Sequence, residues 1–306
     1  MKRLTISMTA VLALTVAART ARADGKPAIT SETVKAPAAT ATAPKTELKG
    51  GFATSALPAD DDNPDATDLA IQAGGLFSSG NARTVAVTGG SKFRLRRDAH
   101  QLSLQLAANF ARAGKKGEPV DTTVENYQGM ARYDLFLTDH VALFLQSSAR
   151  HDRFQGLDLR LNVDPGVAYY FVNTKKQQLR AEAGYDLQHD IRRDASRVQT
   201  PTTPLPAGSA PLPLLDKVNT LHNARFFLGY DNKLYKEVGL TTSFEFLQNL
   251  SDAGTYRFVF DVGLKSNIAE SLAIATTYTM RYENKPLPNV DKADSIASVN
   301  LVYTLF

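Results

Sequence analysis

The sequence predicts an all-β fold, a single antiparallel transmembrane β-barrel of about twelve strands. Three observations predict it. Apolar and polar residues alternate with period two from Asp68 onward. No stretch after residue 23 approaches the roughly twenty apolar residues that a membrane helix needs. The connections between the alternating runs separate into a short set and a longer set.

The N-terminus comes first. Lys2 and Arg3 precede a mostly apolar stretch from Leu4 to Ala18, too short to span a bilayer comfortably as a helix. Ala21 and Ala23 then stand at the two positions a signal peptidase reads. The expectation is a Sec-type signal peptide over 1–23, cleaved after Ala23; the alternative is a retained anchor. Removing it takes away Lys2, Arg3, Arg19 and Arg22 and no acidic residue, so the formal charge falls from +4 to 0. The basic balance of the whole chain therefore gives no support for a nucleic-acid partner. The chain has no cysteine, which excludes disulfides and Cys-based metal sites.

Residues 24–66 are rich in Ala, Thr, Pro and Lys and carry Asp60, Asp61 and Asp62. They read as a disordered periplasmic linker, with passive spacing or tethering as its role. Residues 67–306 form the barrel domain.

Within that domain, Tyr256, Phe258, Phe260, Val262 and Leu264 share one face, and Arg257, Asp261, Gly263 and Lys265 the other. A helix scatters these two sets; a strand separates them. The same test places strands near 68–79, 83–96, 100–112, 123–137, 141–153, 157–172, 177–190, 220–232, 237–249, 254–266, 271–283 and 294–306. Runs of this length match the roughly nine to eleven residues with which a tilted strand crosses a bilayer. Asp164-Pro165-Gly166 interrupts the sixth run, and the proline implies a bulge there. The short connections include Arg97-Asp98-Ala99 and Thr138-Asp139-His140. The long ones include 114–122, 194–219 with five prolines, and 284–293. Outer-membrane barrels have short periplasmic turns and longer outer loops. With twelve strands both termini fall on the short-turn side.

A lipocalin-like barrel or a β-sandwich also alternates. The membrane reading adds aromatic girdles outside and charges inside. The apolar faces carry Tyr127, Tyr133, Tyr169, Phe171, Tyr185, Tyr230, Tyr256, Tyr278, Tyr282 and Tyr303, although there is no Trp. The opposite faces carry the candidate lumen-lining set: Arg132, Asp134, Arg150, Asp158, Arg160, Arg180, Glu182, Asp186, Arg225, Glu245, Arg257 and Asp261. Asp164, Asp231 and Lys265 share that parity. Mixed signs fill and cross-link a lumen as readily as they select an ion. Phe306 ends the chain, on the face opposite Val299, Leu301, Tyr303 and Leu305.

No catalytic, cofactor or metal motif emerges. The five histidines lack metal-ligand spacing. A barrel phospholipase needs a Ser and a His together, but Ser243 and His222 fall on opposite faces. The expectation is a protein that is not an enzyme.

The order Arg150-His-Asp-Arg-Phe-Gln-Gly-Leu-Asp-Leu-Arg160, then Pro165-Gly-Val-Ala-Tyr-Tyr-Phe171, then Leu179-Arg-Ala-Glu-Ala-Gly-Tyr185 resembles the YdiY-like family, described as salt-induced outer-membrane proteins. Ser79-Gly80-Asn81 with Thr84 adds to it. The resemblance spans about residues 68–306 and implies an outer-membrane barrel, but no catalytic residues. Asp152 to Asp158 is its most specific part, read either as a bulged turn needing Gly156 or as a ligand-binding corner. The expected partners are outer-membrane lipid, the barrel-assembly machinery and small solutes or ions. Three functions fit: a narrow pore for solutes or ions linked to osmotic or salt adaptation, a non-conducting envelope barrel, or surface recognition through 194–219.

Overall fold

A computed structural model describes residues 65–79, 82–198, 214–288 and 290–305. The expected signal peptide, nearly all of the expected linker, most of the proline-rich loop and Phe306 lie outside the described residues. Twelve antiparallel strands form one closed barrel. They are β1 (Ala66–Ser78), β2 (Ala82–Arg97), β3 (His100–Lys115), β4 (Asp121–Phe136), β5 (Val141–Asp152) and β6 (Leu157–Asn173), followed by β7 (Gln177–Arg192), β8 (Val218–Lys233), β9 (Val238–Asn249), β10 (Tyr256–Asn267), β11 (Leu272–Glu283) and β12 (Ala293–Thr304). Each pairs with its sequence neighbours, and β1 closes on β12.

Alternation decides what each strand shows. Along β3, Gln101, Ser103, Gln105, Ala107 and Asn109 are buried, while Leu102, Leu104, Leu106 and Phe110 are exposed. This is the reverse of a soluble barrel: the polar side chains are hidden and the apolar ones are bare. Val167, Tyr169 and Phe171 continue the outer apolar face on β6. Among the described residues no helix is long and apolar enough to cross a membrane.

Histidine and tyrosine pair on the outer face near both ends of the strands. His100 Nδ1 lies 2.6 Å from Tyr133 Oη, His140 stacks on Tyr169, His151 on Tyr127, and His222 contacts Tyr185. In a chain without Trp, these amphipathic rings supply the girdles.

The short turns are held by local hydrogen bonds. Thr138 Oγ1 accepts from the backbone N–H of His140 and Val141, and Thr174 Oγ1 accepts from that of Gln177. Such bonds fix a tight turn without a long loop.

Two expectations are corrected. Pro165 makes no bulge. Asp164, Pro165 and Gly166 pair in unbroken register with Gln146, Leu145 and Phe144 of β5, and β6 keeps its register with β7 on both sides of the proline. A missing N–H removes ladder bonds without adding a residue, so the twelve-strand count stands. The register shifts lie instead near Ala111, Asp152, Leu157–Leu159 and Tyr170–Val172. The one at Leu157–Leu159 has a consequence: Leu157 and Arg160 are both buried, and Asp158 between them is turned to the rim. It does not line the lumen. It pairs with Lys217 at 3.2 Å and Arg193 at 3.5 Å.

The β1–β12 ladder is short, running from Ala70 to Ala73 against Leu301 to Thr304. It stops at Gly74. Asn300 Oδ1 accepts a hydrogen bond from Thr88 Oγ1 of β2 at 3.1 Å, so the Asn300 side chain passes over β1. A Cβ on Gly74 would stand 2.6 Å from that oxygen. Only a residue without a side chain fits beneath the crossing.

Candidate functional site

The middle of the lumen is filled. On the β4–β8 side, Glu182 of β7 is surrounded by three arginines. Arg132 of β4 donates to it at 3.1 Å, Arg225 of β8 donates at 2.7 Å, and Arg180 Nε pairs with it at 2.8 Å. Strands β4 and β7 are not neighbours, so the Arg132–Glu182 contact passes through the lumen over β5 and β6. Arg132 also donates to Asp134 at 2.7 and 2.9 Å, and Arg225 to Glu245 at 2.7 Å. Three interior aromatic rings pack against the guanidiniums. Arg132 lies 4.2 Å from the centroid of Phe144, Arg180 lies 5.2 Å from that of Phe227, and Tyr170 flanks Arg180. The side chains of the three arginines, Asp134 and Glu182 are no more than 1% exposed. Three cations meet three carboxylates, Asp134, Glu182 and Glu245. The plug is therefore formally neutral, and among its charged side chains only Glu245, 16% exposed at the outer cavity, is not fully buried. In such a setting a charge persists only with a partner and hydrogen bonds.

The opposite wall closes the section with smaller residues. Thr88 on β2, Gln105 on β3, Asp261 on β10, Thr279 on β11 and Asn300 on β12 are all buried. Asp261 accepts from Thr279 Oγ1 at 2.5 Å and from Ser243 Oγ at 3.4 Å.

One cavity rests on the plug, and a second lies apart from it, along β1, β2 and β10–β12. The outer one, of about 440 Å³, has Met130, Gln146, Asp164, Arg225 and Glu245 as its floor. Arg160 of β6 holds Asp190 of β7 through two 2.7 Å bonds on its wall, and Arg150 holds Asp152 at 2.8 Å. Asp186 accepts from Asn162 at 2.5 Å and Asn223 at 2.6 Å. Arg257 stands on the β10 wall. The inner cavity, of about 230 Å³, opens among the short turns and includes Lys92, Arg94 and Lys265.

The Asp152–Asp158 segment anchors the outer mouth. Asp152 Oδ1 accepts from the N–H of Phe154 and of Gln155, both at 3.1 Å. The turn then needs Gly156, whose φ is +73°. A Cβ there would lie 2.7 Å from Ser196 and 2.9 Å from Leu287 Cδ1. Leu287 belongs to the β11–β12 connection, on the other side of the barrel from β5–β6. That connection therefore straps across the mouth. At its root Asn284 Nδ2 donates to Gly254 O at 2.7 Å, and Lys285 pairs with Asp252. The Lys285 ammonium, with Thr255 Oγ1 and the Gly254 N–H, pushes the Asp252 carboxyl down to about 2. Nearby, Lys217 and Arg197 hold Asp194 below its ordinary value, while Asp194 and Asp158 hold Lys217 above its own.

Of the twelve candidate lumen residues, Arg132, Asp134, Arg180, Glu182, Arg225 and Glu245 come together in the plug. Arg150, Arg160, Asp186 and Arg257 line the outer cavity, Asp261 sits in the small-residue wall, and Asp158 is at the rim. The search for charges missed Phe144, Tyr170 and Phe227. Their signal was present: each shares the parity of the charged residues on its own strand. Ser243 and His222 do lie on opposite faces.

The sequence profile of a family described as "Protein of unknown function, DUF481" matches residues 71–305. The chain belongs to this family, the YdiY-like barrels. No curated protein matches the chain. Among solved structures it is similar to the NanC porin, at 12% identity and a TM-score of 0.44, covering 79% of this chain and 99% of that one. It is also similar to the translocator domain of the autotransporter NalP from Neisseria meningitidis, at 11% identity and a TM-score of 0.38, covering 81% and 90%.

Proposed function

We propose that this family member is an outer-membrane barrel acting as a gated narrow pore for small solutes or ions, closed in the conformation described above. The single observation that carries the reading is the plug: a buried, neutral knot in the lumen, with a cavity resting on its outer side. Large residues come from one wall only, so moving a few side chains would open the lumen past the plug. Location in the outer membrane is supported by the bare apolar belt, the histidine–tyrosine girdles and the loop asymmetry. Sec export with cleavage after Ala23, and contact with the barrel-assembly machinery, belong to the same proposal. So does the absence of enzymatic activity, which the separation of Ser243 from His222 supports.

Planar bilayers test it. Wild-type protein should be silent at low voltage, and Glu182→Gln, which loosens three arginines, should give discrete conductance steps. Silence of a folded Glu182→Gln variant at every voltage and ionic strength would overturn the pore reading. It would leave the second reading, a non-conducting envelope barrel, which the neutrality of the plug favours. The link to salt adaptation is tested separately, by growth of a deletion strain at high osmolarity.

A further inference from the structure

The outer cavity has a floor, a wall and a roof: the plug, strands β5–β11 and the Lys285–Leu287 strap. Its cations are not equally committed. Arg150, Arg160 and Arg225 hold Asp152, Asp190 and Glu245. Arg257 makes no hydrogen bond or ion pair among the described residues, although its guanidinium belongs to the cavity lining. The carboxylates within its electrostatic reach on β7 are Asp186 and Asp190. Asp186 accepts from the neutral amides of Asn162 and Asn223 and faces Arg257 without forming an ion pair with it, and Asp190 is held by Arg160 and Gln188. Glu245 is held by Arg225, and Glu283, opposite Arg257 on β11, makes no ion pair with it. A guanidinium offers a planar fork of donors that fits a carboxylate in two-point geometry.

Apolar surface lies beside it. Leu247 is the register partner of Arg257 on β9, Val259 follows on the same face of β10, and Leu221 and Leu287 complete the patch. A cavity of about 440 Å³ is within the usual range for small-molecule sites, which join apolar walls to a few placed polar groups.

We propose that this chamber binds a small organic acid: a carboxylate on Arg257 with a compact apolar body against Leu221, Leu247 and Val259. The strap covers the bound molecule, and Leu287 seated on Gly156 closes the mouth. The site goes beyond the pore reading. It is occupied from the outer side while the plug stays shut, so binding and conductance can fail independently.

The probes are benzoate, benzamide and benzylamine, which have similar shape and differ in charge. Binding is measured by saturation-transfer NMR on the full refolded barrel in detergent, with empty micelles subtracted. Benzoate should bind at least tenfold more tightly than either of the others. Arg257→Gln should weaken benzoate at least tenfold, with heat-modifiable migration on gels reporting an intact barrel. Val259→Phe, which fills the chamber and keeps Arg257, should have the same effect and serves if Arg257→Gln does not fold. Equal binding of the three probes, preference for benzylamine, undiminished benzoate binding in either folded variant, or no binding of any probe overturns the proposal.

Discussion

The two walls of the barrel solve the same packing problem with opposite means. Strands β4 to β8 send Arg132, Phe144, Tyr170, Arg180, Glu182, Arg225 and Phe227 into the lumen. Strands β11, β12, β1, β2 and β3 answer with Ala86, Thr88, Ala107, Ala111, Ala273, Thr279, Asn300 and the bare backbone of Gly74. A barrel has one interior, so volume given by one wall must be withheld by the other. The large wall is polar because its long side chains also have to meet each other in the lumen. Once they do, every charge must be matched, because none reaches water. The small wall carries little charge and needs few such bonds. Specificity of the interior is thus concentrated in about half of the circumference, and the other half serves as its mould.

The comparison can be broken most forcefully at Glu182. Glu182→Ala leaves three buried guanidiniums around an empty place, and removal of one partner from a buried ion pair costs about 3–5 kcal/mol. Urea unfolding in lipid vesicles should show a loss of at least that order. A small effect would mean that the plug is wetter than its burial implies. On the mould side, Gly74→Val forces a side chain into the path of Asn300. Overfilling of this kind costs about 1–3 kcal/mol, and the same titration should place Gly74→Val below Glu182→Ala. The reverse order would make the small wall the structural keystone.

The smallest effect is expected outside both walls, at the strap. The folded Asp252 carboxyl sits at about 2 against an ordinary 3.8, so its contribution is complete above the ordinary value and is lost as pH falls through about 2. Spin labels on Phe154→Cys and Pro288→Cys, in a chain with no native cysteine, should report one loop-to-loop distance from pH 8 to pH 4. The distribution should broaden only below that range, as pH falls towards 2. Broadening around pH 6 would show that another group holds the strap.

Much of the barrel was legible because period two is a local signal. The face of Arg225 could be read from Phe226 and Leu228 beside it, and strand ends fell within a few residues of their positions. Asp158 was misplaced because a bulge reverses parity, and nothing at Leu157 or Leu159 announces one. Pro165 misled in the other direction: its missing donor looked like an interruption, yet the β5 side of β6 never needed it. The plug as an assembly was beyond reach. Alternation says that Arg132 and Glu182 point inward, but their meeting across three strand intervals depends on barrel closure. The strap was hidden for the same reason, since Leu287 and Gly156 lie far apart in the chain and on opposite sides of the mouth. Gly156 itself was readable as a required turn glycine; what packs on it was not.

The β1–β12 ladder carries a kinetic consequence. Its four paired positions compare with eleven or more in every other ladder. It also joins Ala70 to Thr304, nearly the full length of the barrel domain. Ends so far apart close late, because the entropy of loop closure is met before the contact contributes anything. The same brevity makes this the ladder with least to lose. A barrel pulled or heated should therefore come undone at the join where it was last fastened, long before the plug on the far side notices.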